Sequence, residues 1–356
     1  MRLLLLAYEL DLDSPVVPWQ ARIAALVADE VDRVDAWADR VGRVPARDNL
    51  HPRAFPRPPL GLPRRAGGGF AIGARVAAEA RRLQVDACVV HMAHHWAYWA
   101  GAFLRPMGIP IVLWYAHGSV SPSLRVAHAL ASAVVTSTPD GFRLPSRKLH
   151  VIGQGIDTET FAIAPVAAAS RYEVVYVGRV SARKRIDRLV DVAAALDAIG
   201  APAEVRIRVI GPTLTDDDIA YRASVEASIE RRKLGARIAV EDAAGQEDLA
   251  AAHATAFAHV NLSETGSMDK TVMEALACGV PTLTSNVAFH ELLRDHPELR
   301  LASDATAEVI ARSLVALHET RGAVNRDHFR SLVEGHHDER TYARRLLAVV
   351  DQVARP

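Results

Sequence analysis

Two stretches of the chain concentrate residue types that can hold an anion. In the first, Val175-Tyr176-Val177-Gly178-Arg179-Val180-Ser181-Ala182-Arg183-Lys184-Arg185, an apolar run ends in a glycine and cations follow at once. Gly178 lets the backbone turn sharply, Arg179 can give two parallel hydrogen bonds to phosphate oxygens, and Lys184 adds a mobile point charge from the next turn. Together they suit a diphosphate; a solvated basic turn ahead of a helix is the plainer alternative.

The second stretch is Ser263-Glu264-Thr265-Gly266-Ser267-Met268-Asp269-Lys270-Thr271-Val272-Met273-Glu274-Ala275-Leu276-Ala277-Cys278-Gly279-Val280-Pro281. An apolar strand leads into a polar, glycine-containing loop and then a helix that closes on a glycine suited to its C-terminal cap. The free N–H groups and positive dipole end of such a helix favour an anion, and Gly266 with Ser267 lets the backbone come close to it. Glu274 sits one turn inside an otherwise apolar helix, where a carboxylate needs partners; two vicinal hydroxyls, such as those of a ribose, would supply them.

These stretches need a scaffold that brings strand ends together. Short apolar runs at Leu3–Ala7, Ala87–Val90, Pro110–Trp114, Ala133–Ser137 and Leu149–Ile152 alternate with helix-like segments at Trp19–Ala28 and Trp96–Phe103. The second half repeats the pattern: Glu173–Val177, a helix near Asp187–Ile199, Glu204–Ile210, a helix from Asp217 to Leu234, Ile238–Val240, Asp248–Ala254, Ala258–Leu262, Lys270–Cys278 and Pro281–Thr284. Strands buried on both faces and separated by helices predict two open, parallel α/β domains, whose ligands bind at the strand ends. The boundaries drawn are 1–161, a small-residue linker at 162–170, 171–335, and a closing helix over 336–356 that can pack on either lobe, a return to the first among the options.

Composition narrows the classes. A chain of 356 residues exceeds the usual limit of one hydrophobic core, and 50% hydrophobic with 24% charged residues is ordinary for a globular protein. Lys+Arg and Asp+Glu balance at 42 each, which argues against a broad basic field for nucleic acid. Cys88 and Cys278 lie in apolar runs and read as buried thiols in a reducing compartment. The opening Arg2–Ala7 is read as a strand rather than a signal peptide, and no run approaches a bilayer span, so a cytoplasmic protein is expected. Asp48–Gly69, with Arg53, Arg57, Arg64 and Arg65, is read as a solvated loop. Its alternative is a basic flap, over 53–65, that meets the inner face of an anionic membrane or a phosphorylated acceptor.

Both anion stretches resemble those of the group-1 (family 4) glycosyltransferases of GT-B fold, which carry a strand-Gly-Arg-x4-Lys segment and a Glu-x7-Glu segment followed by Ala-x-Ala-x-Gly-x-Pro. Val151-Ile152-Gly153-Gln154-Gly155-Ile156-Asp157, with Phe161 beyond, resembles the family's connector. The resemblance implies two Rossmann-like doubly wound domains facing a cleft and a retaining, metal-independent hexosyl transfer with a nucleotide-diphosphate sugar as co-substrate and no further cofactor. It implies that Arg179 and Lys184 clamp the pyrophosphate, that Gly178 and the backbone of Gly266, Ser267, Met268, Asp269, Lys270 and Thr271 hold sugar and phosphates, and that Glu274 binds the ribose. The sequence departs from the pattern at Gly266, which stands where the family's first Glu belongs. Glu264 or Asp269 with Lys270 can take that place, and the two options stay open.

In the first lobe, Ile111–Trp114 runs into Tyr115-Ala116-His117. A lone histidine at a strand end is by default a satisfied core or surface residue; His117 resembles the family's cleft histidine, which contacts the sugar or the departing phosphate. His91-Met92-Ala93-His94-His95-Trp96 lacks the spacing of a metal site and reads as a loop lining the cleft. Asp13, His94 and Trp114 are the candidates on the side of the acceptor, a hydroxyl of a glycan, a lipid-linked or a small molecule. Two other functions fit the same fold: a nucleotide-sugar epimerase or hydrolase, and a non-catalytic nucleotide-binding module. A nicotinamide-dependent dehydrogenase lacks its Gly-x-Gly-x-x-Gly. Base, sugar and acceptor are not legible in one chain.

Overall fold

Uninterrupted Leu and Val runs find apolar cover on both faces only inside a parallel sheet flanked by helices, and this is how the chain uses them. The computed structural model describes residues 1–56, 67–165, 172–263 and 267–354. The chain divides into two units, Met1–Gly155 with His337–Pro356, and Ile156–His336.

The first unit contains, in order, β1 (Arg2–Leu10), α1 (Trp19–Ala28), β2 (Arg33–Val41), β3 (Leu50–Ala54), α2 (Gly68–Arg82), β4 (Ala87–His91), α3 (His94–Trp99), α4 (Gly101–Leu104), β5 (Ile111–Trp114), α5 (Pro122–Leu130), β6 (Ala133–Thr136) and β7 (Leu149–Val151). Its seven strands lie in the order β3-β2-β1-β4-β5-β6-β7, every pairing parallel. Alternate residues of β1 feed two different cores: Leu3 and Leu5 pack with Ile23 and Val27 of α1, while Leu4 and Leu6 pack with Ile72 and Val76 of α2.

The second unit runs β8 (Glu173–Val177), α6 (Ile186–Ala198), β9 (Arg206–Ile210), α7 (Asp216–Arg231), β10 (Ile238–Glu241), α8 (Gln246–Thr255), β11 (Ala256–Asn261), α9 (Lys270–Ala277), β12 (Thr282–Thr284), α10 (Ala307–Thr320) and α11 (Arg326–His337). The sheet order is β10-β9-β8-β11-β12, again all parallel. Val174 and Tyr176 face Leu189 and Ile310 on one side; Val175 and Val177 face Val272 and Leu276 of α9 on the other. The last helix, α12 (Glu339–Ala354), belongs to the first unit. Tyr342, Leu346 and Val350 join the α1 core, Tyr342 Oη lies 2.9 Å from His91 Nε2, and Glu339 pairs with Arg22 at 3.0 Å.

Two expectations are corrected. The irregular stretch drawn from Asp48 to Gly69 contains β3 at Leu50–Ala54 and the start of α2 at Gly68; Arg57, Arg64 and Arg65 lie outside the described residues. Pro52 obscured β3, yet proline is tolerated on an edge strand, which β3 is. β2 was also missed, because its buried positions alternate small residues (Val34, Ala36, Ala38) with charges. The single helix expected over Trp96–Phe103 is two, α3 and α4.

The core of the second unit holds two fully buried histidines, His253 and His259, with ring centroids 5.7 Å apart. Burial pushes His253 down to about 4, and burial together with the neighbouring His253 holds His259 well below its ordinary value. Both are therefore neutral when folded, whereas the unfolded chain takes up their protons below about pH 6.5. The stabilisation is fully present above pH 6.5 and is lost as pH falls towards 4. Denaturant unfolding at pH 7 and pH 5 should show a loss of about 2 kcal/mol from His253 alone. His253→Leu should flatten that slope; an unchanged slope would refute the assignment.

Candidate functional site

In the second unit β8 lies between β9 and β11, so the chain leaves β8 towards one side and β11 towards the other. Such a reversal opens a crevice beyond the carboxyl ends of the two strands. Described residues of both anion stretches fall there: Gly178 follows β8, Ser263 follows β11, and Ser267 to Asp269 lead into α9.

Gly178 adopts φ +149°, a region that side-chain-bearing residues rarely enter. Its N–H donates to Ile210 O at 3.0 Å, and Val180 N–H donates to Pro212 O at 2.9 Å. These bonds draw the exits of β8 and β9 so close that a Cβ on Gly211 would lie 1.9 Å from Gly178 O. The chain then passes through a 3-10 turn, Ala182–Lys184, and enters α6 through Arg185 in the left-handed region.

Arg179 and Lys184 are each held by a carboxylate. Arg179 Nε donates to Asp218 Oδ2 at 2.6 Å, and its Nη2 lies 3.4 Å from Thr215 Oγ1. Lys184 Nζ donates to both oxygens of Asp269 at 2.8 Å, and Asn261 Nδ2 donates to Asp269 Oδ2 at 3.0 Å. Asp269 stands at the N-cap of α9 but makes no side-chain cap bond; its carboxylate is spent on Lys184 and Asn261 instead. Helix starts that lack a capping acceptor attract anions. Asn286, almost fully buried, donates from Nδ2 to Ser267 O at 2.8 Å and fixes Ser267 ahead of α9. Met268 is buried, while Ser267, Lys270, Thr271 and Glu274 are half-buried. Burial pushes the Cys278 thiol up to about 12, with the charge of Glu274 adding to it. Glu264 and Gly266 lie outside the described residues.

The first unit has its own reversal, between β1 and β4. His117, beyond β5, is exposed, and its Nδ1 accepts the Ser119 N–H at 3.2 Å with Ser119 Oγ at 2.9 Å. Nδ1 is therefore unprotonated in the neutral ring, and the proton sits on Nε2. His94 places Nε2 3.0 Å from Ser123 Oγ, and burial lowers its pKa. The two histidines flank Tyr115, at centroid distances of 5.6 and 6.4 Å. Trp114 is not beside them; it lies in the core, 3% exposed, stacked on His91. Asp13 is a surface residue paired with Arg43 at 2.6 Å. Arg53 of the basic stretch is committed to Glu79 at 3.1 Å and lies over the Trp37 ring. Among the described residues no group of three or more His, Cys, Asp or Glu is arranged to hold a metal ion, and no helix is long and apolar enough to cross a membrane.

Asp218, Asn261, Gly211 and Asn286 are the neighbours that sequence reasoning missed. For Asp218 a signal existed: Thr215 and Asp218 form a capping box at the start of α7, a pattern readable as Thr-x-x-Asp. The other three carry no such local mark, since their roles come from strand ends meeting in space.

Residues 171–320 match the model of the group 1 glycosyl transferases. Among solved structures, HepE of Anabaena with UDP and glucose superposes with TM-score 0.78 at 16% identity, covering 99% of this chain and 100% of that one. Sucrose-phosphate synthase of Thermosynechococcus elongatus gives 0.75 at 17%, covering 99% and 98%. The lipopolysaccharide outer core galactosyltransferase WaaB gives 0.72 at 12%, covering 99% of each. No curated protein matches the chain by sequence. The chain thus has the α/β architecture of the GT-B glycosyltransferases.

The close approach of the strand exits is testable. A methyl group at residue 211 meets backbone, which no rotamer change relieves, so Gly211→Ala should cost about 3 kcal/mol or more. Gly235→Ala, with nothing within 4 Å of its Cβ, should stay within about 0.5 kcal/mol of the parent. Thermal or denaturant melts of the two variants give the comparison.

Proposed function

We propose that the chain is a retaining hexosyltransferase that moves a sugar from a nucleotide-diphosphate donor to a hydroxyl of a glycan, lipid-linked or small-molecule acceptor, without a metal ion. One observation carries the reading: Arg179 and Lys184, each already oriented by a carboxylate, follow β8 at the strand-end crevice of the second unit, beside the start of α9, whose N-cap Asp269 turns its side chain to Lys184. That is a place built for a diphosphate. HepE of Anabaena, of the same fold, was solved with UDP and with UDP-glucose, which makes uridine the first base to try.

The chemistry asks little covalent work of the protein, because positioning and charge stabilisation carry most of the barrier. As the bond from the anomeric carbon to the diphosphate oxygen breaks, Arg179, Lys184 and the first amides of α9 stabilise the negative charge that collects on the leaving group. The acceptor oxygen forms the new bond on the same face, and its proton passes to the leaving phosphate oxygen. Glu274 takes the ribose hydroxyls. His117, with its proton on Nε2, offers a donor to a sugar hydroxyl or a phosphate oxygen, and Asp13 and His94 are the acceptor-side groups. Asp269 already receives Lys184 and Asn261, which supports a place for it beside the phosphates. Glu264 keeps its candidacy for the sugar hydroxyls. Contact of the 53–65 stretch with an anionic membrane face rests on the sequence alone.

Arg179→Ala and Lys184→Ala should each lower kcat/KM for the true donor about 10- to 100-fold, the range for losing a charged hydrogen bond. Assays that separate transfer, donor hydrolysis and epimerisation should show transfer dominant. Unchanged turnover in both variants would overturn the clamp. Hydrolysis or epimerisation without transfer would place the chain in another enzyme class.

A further inference from the structure

We propose that Asp218 is a positioning residue for the donor, acting through Arg179: it grips one edge of the guanidinium and thereby presents the other to the diphosphate. The inference rests on the donor-clamp reading above. Asp218 is 4% exposed, and a buried carboxylate is costly unless every bond it makes is in place. Its Oδ2 accepts three: Arg179 Nε at 2.6 Å, Leu214 N–H at 2.9 Å and Thr215 N–H at 3.2 Å. Two of these come from the backbone at the start of α7, so the acceptor cannot swing away with a rotamer change. Thr215 completes the seat, accepting the Asp218 N–H at 3.3 Å and lying 3.4 Å from Arg179 Nη2.

The grip is on the Nε side of the guanidinium. Among the described residues no group bonds Nη1, and the Arg179 side chain is 41% exposed. The edge formed by Nη1 and Nη2 is the one that can bind two phosphate oxygens in parallel. A free arginine samples many rotamers, and fixing it before the ligand arrives removes an ordering cost from binding. Burial works against ionisation of Asp218, but the Arg179 bond and the two N–H donors outweigh it and hold its carboxyl below the usual range. The grip thus persists through the neutral range. Lys184 is held otherwise: Asp269 meets it and Asn261 through side chains only.

Isothermal titration of UDP into the wild type, Arg179→Ala, Asp218→Asn and the double variant separates the possibilities. Asp218→Asn should weaken UDP about 5- to 10-fold, with the loss appearing in KM for the donor, and should add nothing once Arg179 is alanine. Equal losses in both backgrounds would show that Asp218 acts independently of Arg179 and would overturn the proposal, as would no loss beside a clear Arg179→Ala defect. No defect in Arg179→Ala would overturn the clamp reading itself and the proposal with it. Arg179→Lys guards against misfolding of the Asp218 variant: lysine keeps the charge but has no Nε edge to grip. It should lose UDP affinity nearly as far as alanine does, and wild-type affinity in that variant would also overturn the proposal.

Discussion

The proposed donor site depends on the meeting of two strand exits. β8 must release its chain across the end of β9 with backbone against backbone, and only Gly178 in its unusual conformation and Gly211 without a side chain permit it. Everything that follows is set by that contact. Arg179 is carried towards the start of α7, where Asp218 waits, and the 3-10 turn that follows brings Lys184 to Asp269 at the start of α9. The parallel sheet supplies the other half of the constraint, since only a reversal between β8 and β11 leaves the ends of both strands open to one ligand.

The electrostatics of the site follow from burial. Arg179 and Lys184 bring two positive charges to the chain that follows β8, and each is stabilised by a counter-charge nearby. The chain provides one for each, and in different ways. Asp218 is locked by backbone amides, whereas Asp269 gives up the capping role that an aspartate at a helix start normally plays. The first amides of α9 are thereby left without that acceptor, at the place where a phosphate would gain most from them.

Much of the framework was legible because parallel sheets write themselves as apolar runs: Glu173–Val177 and Trp19–Ala28 were read with the boundaries they have. β2 and β3 were not, since small residues, charges and a proline hide the period-two signal on the outer strands of a sheet. Among the candidate site residues, Arg179 and Lys184 stand out in the sequence because their types and spacing suit an anion. Their partners were not, because Arg179 and Asp218 are 39 residues apart and Lys184 and Asp269 are 85 apart. Trp114, a candidate for the acceptor side, shows how burial escapes a sequence reading. A strand-end aromatic looks available in sequence, yet its alternation turns it inward, against His91.

We propose that the second unit binds a nucleoside diphosphate at this crevice. Thermal melts of the whole chain with UDP, GDP and ADP, each beside its monophosphate, test it most directly. Binding to the folded state alone raises the melting point by mass action, by about 2.7 kcal/mol of stability at 100 times Kd. One diphosphate should stabilise the chain, and its monophosphate should do so far less. Three diphosphates without effect, or a monophosphate as good as its diphosphate, would contradict it.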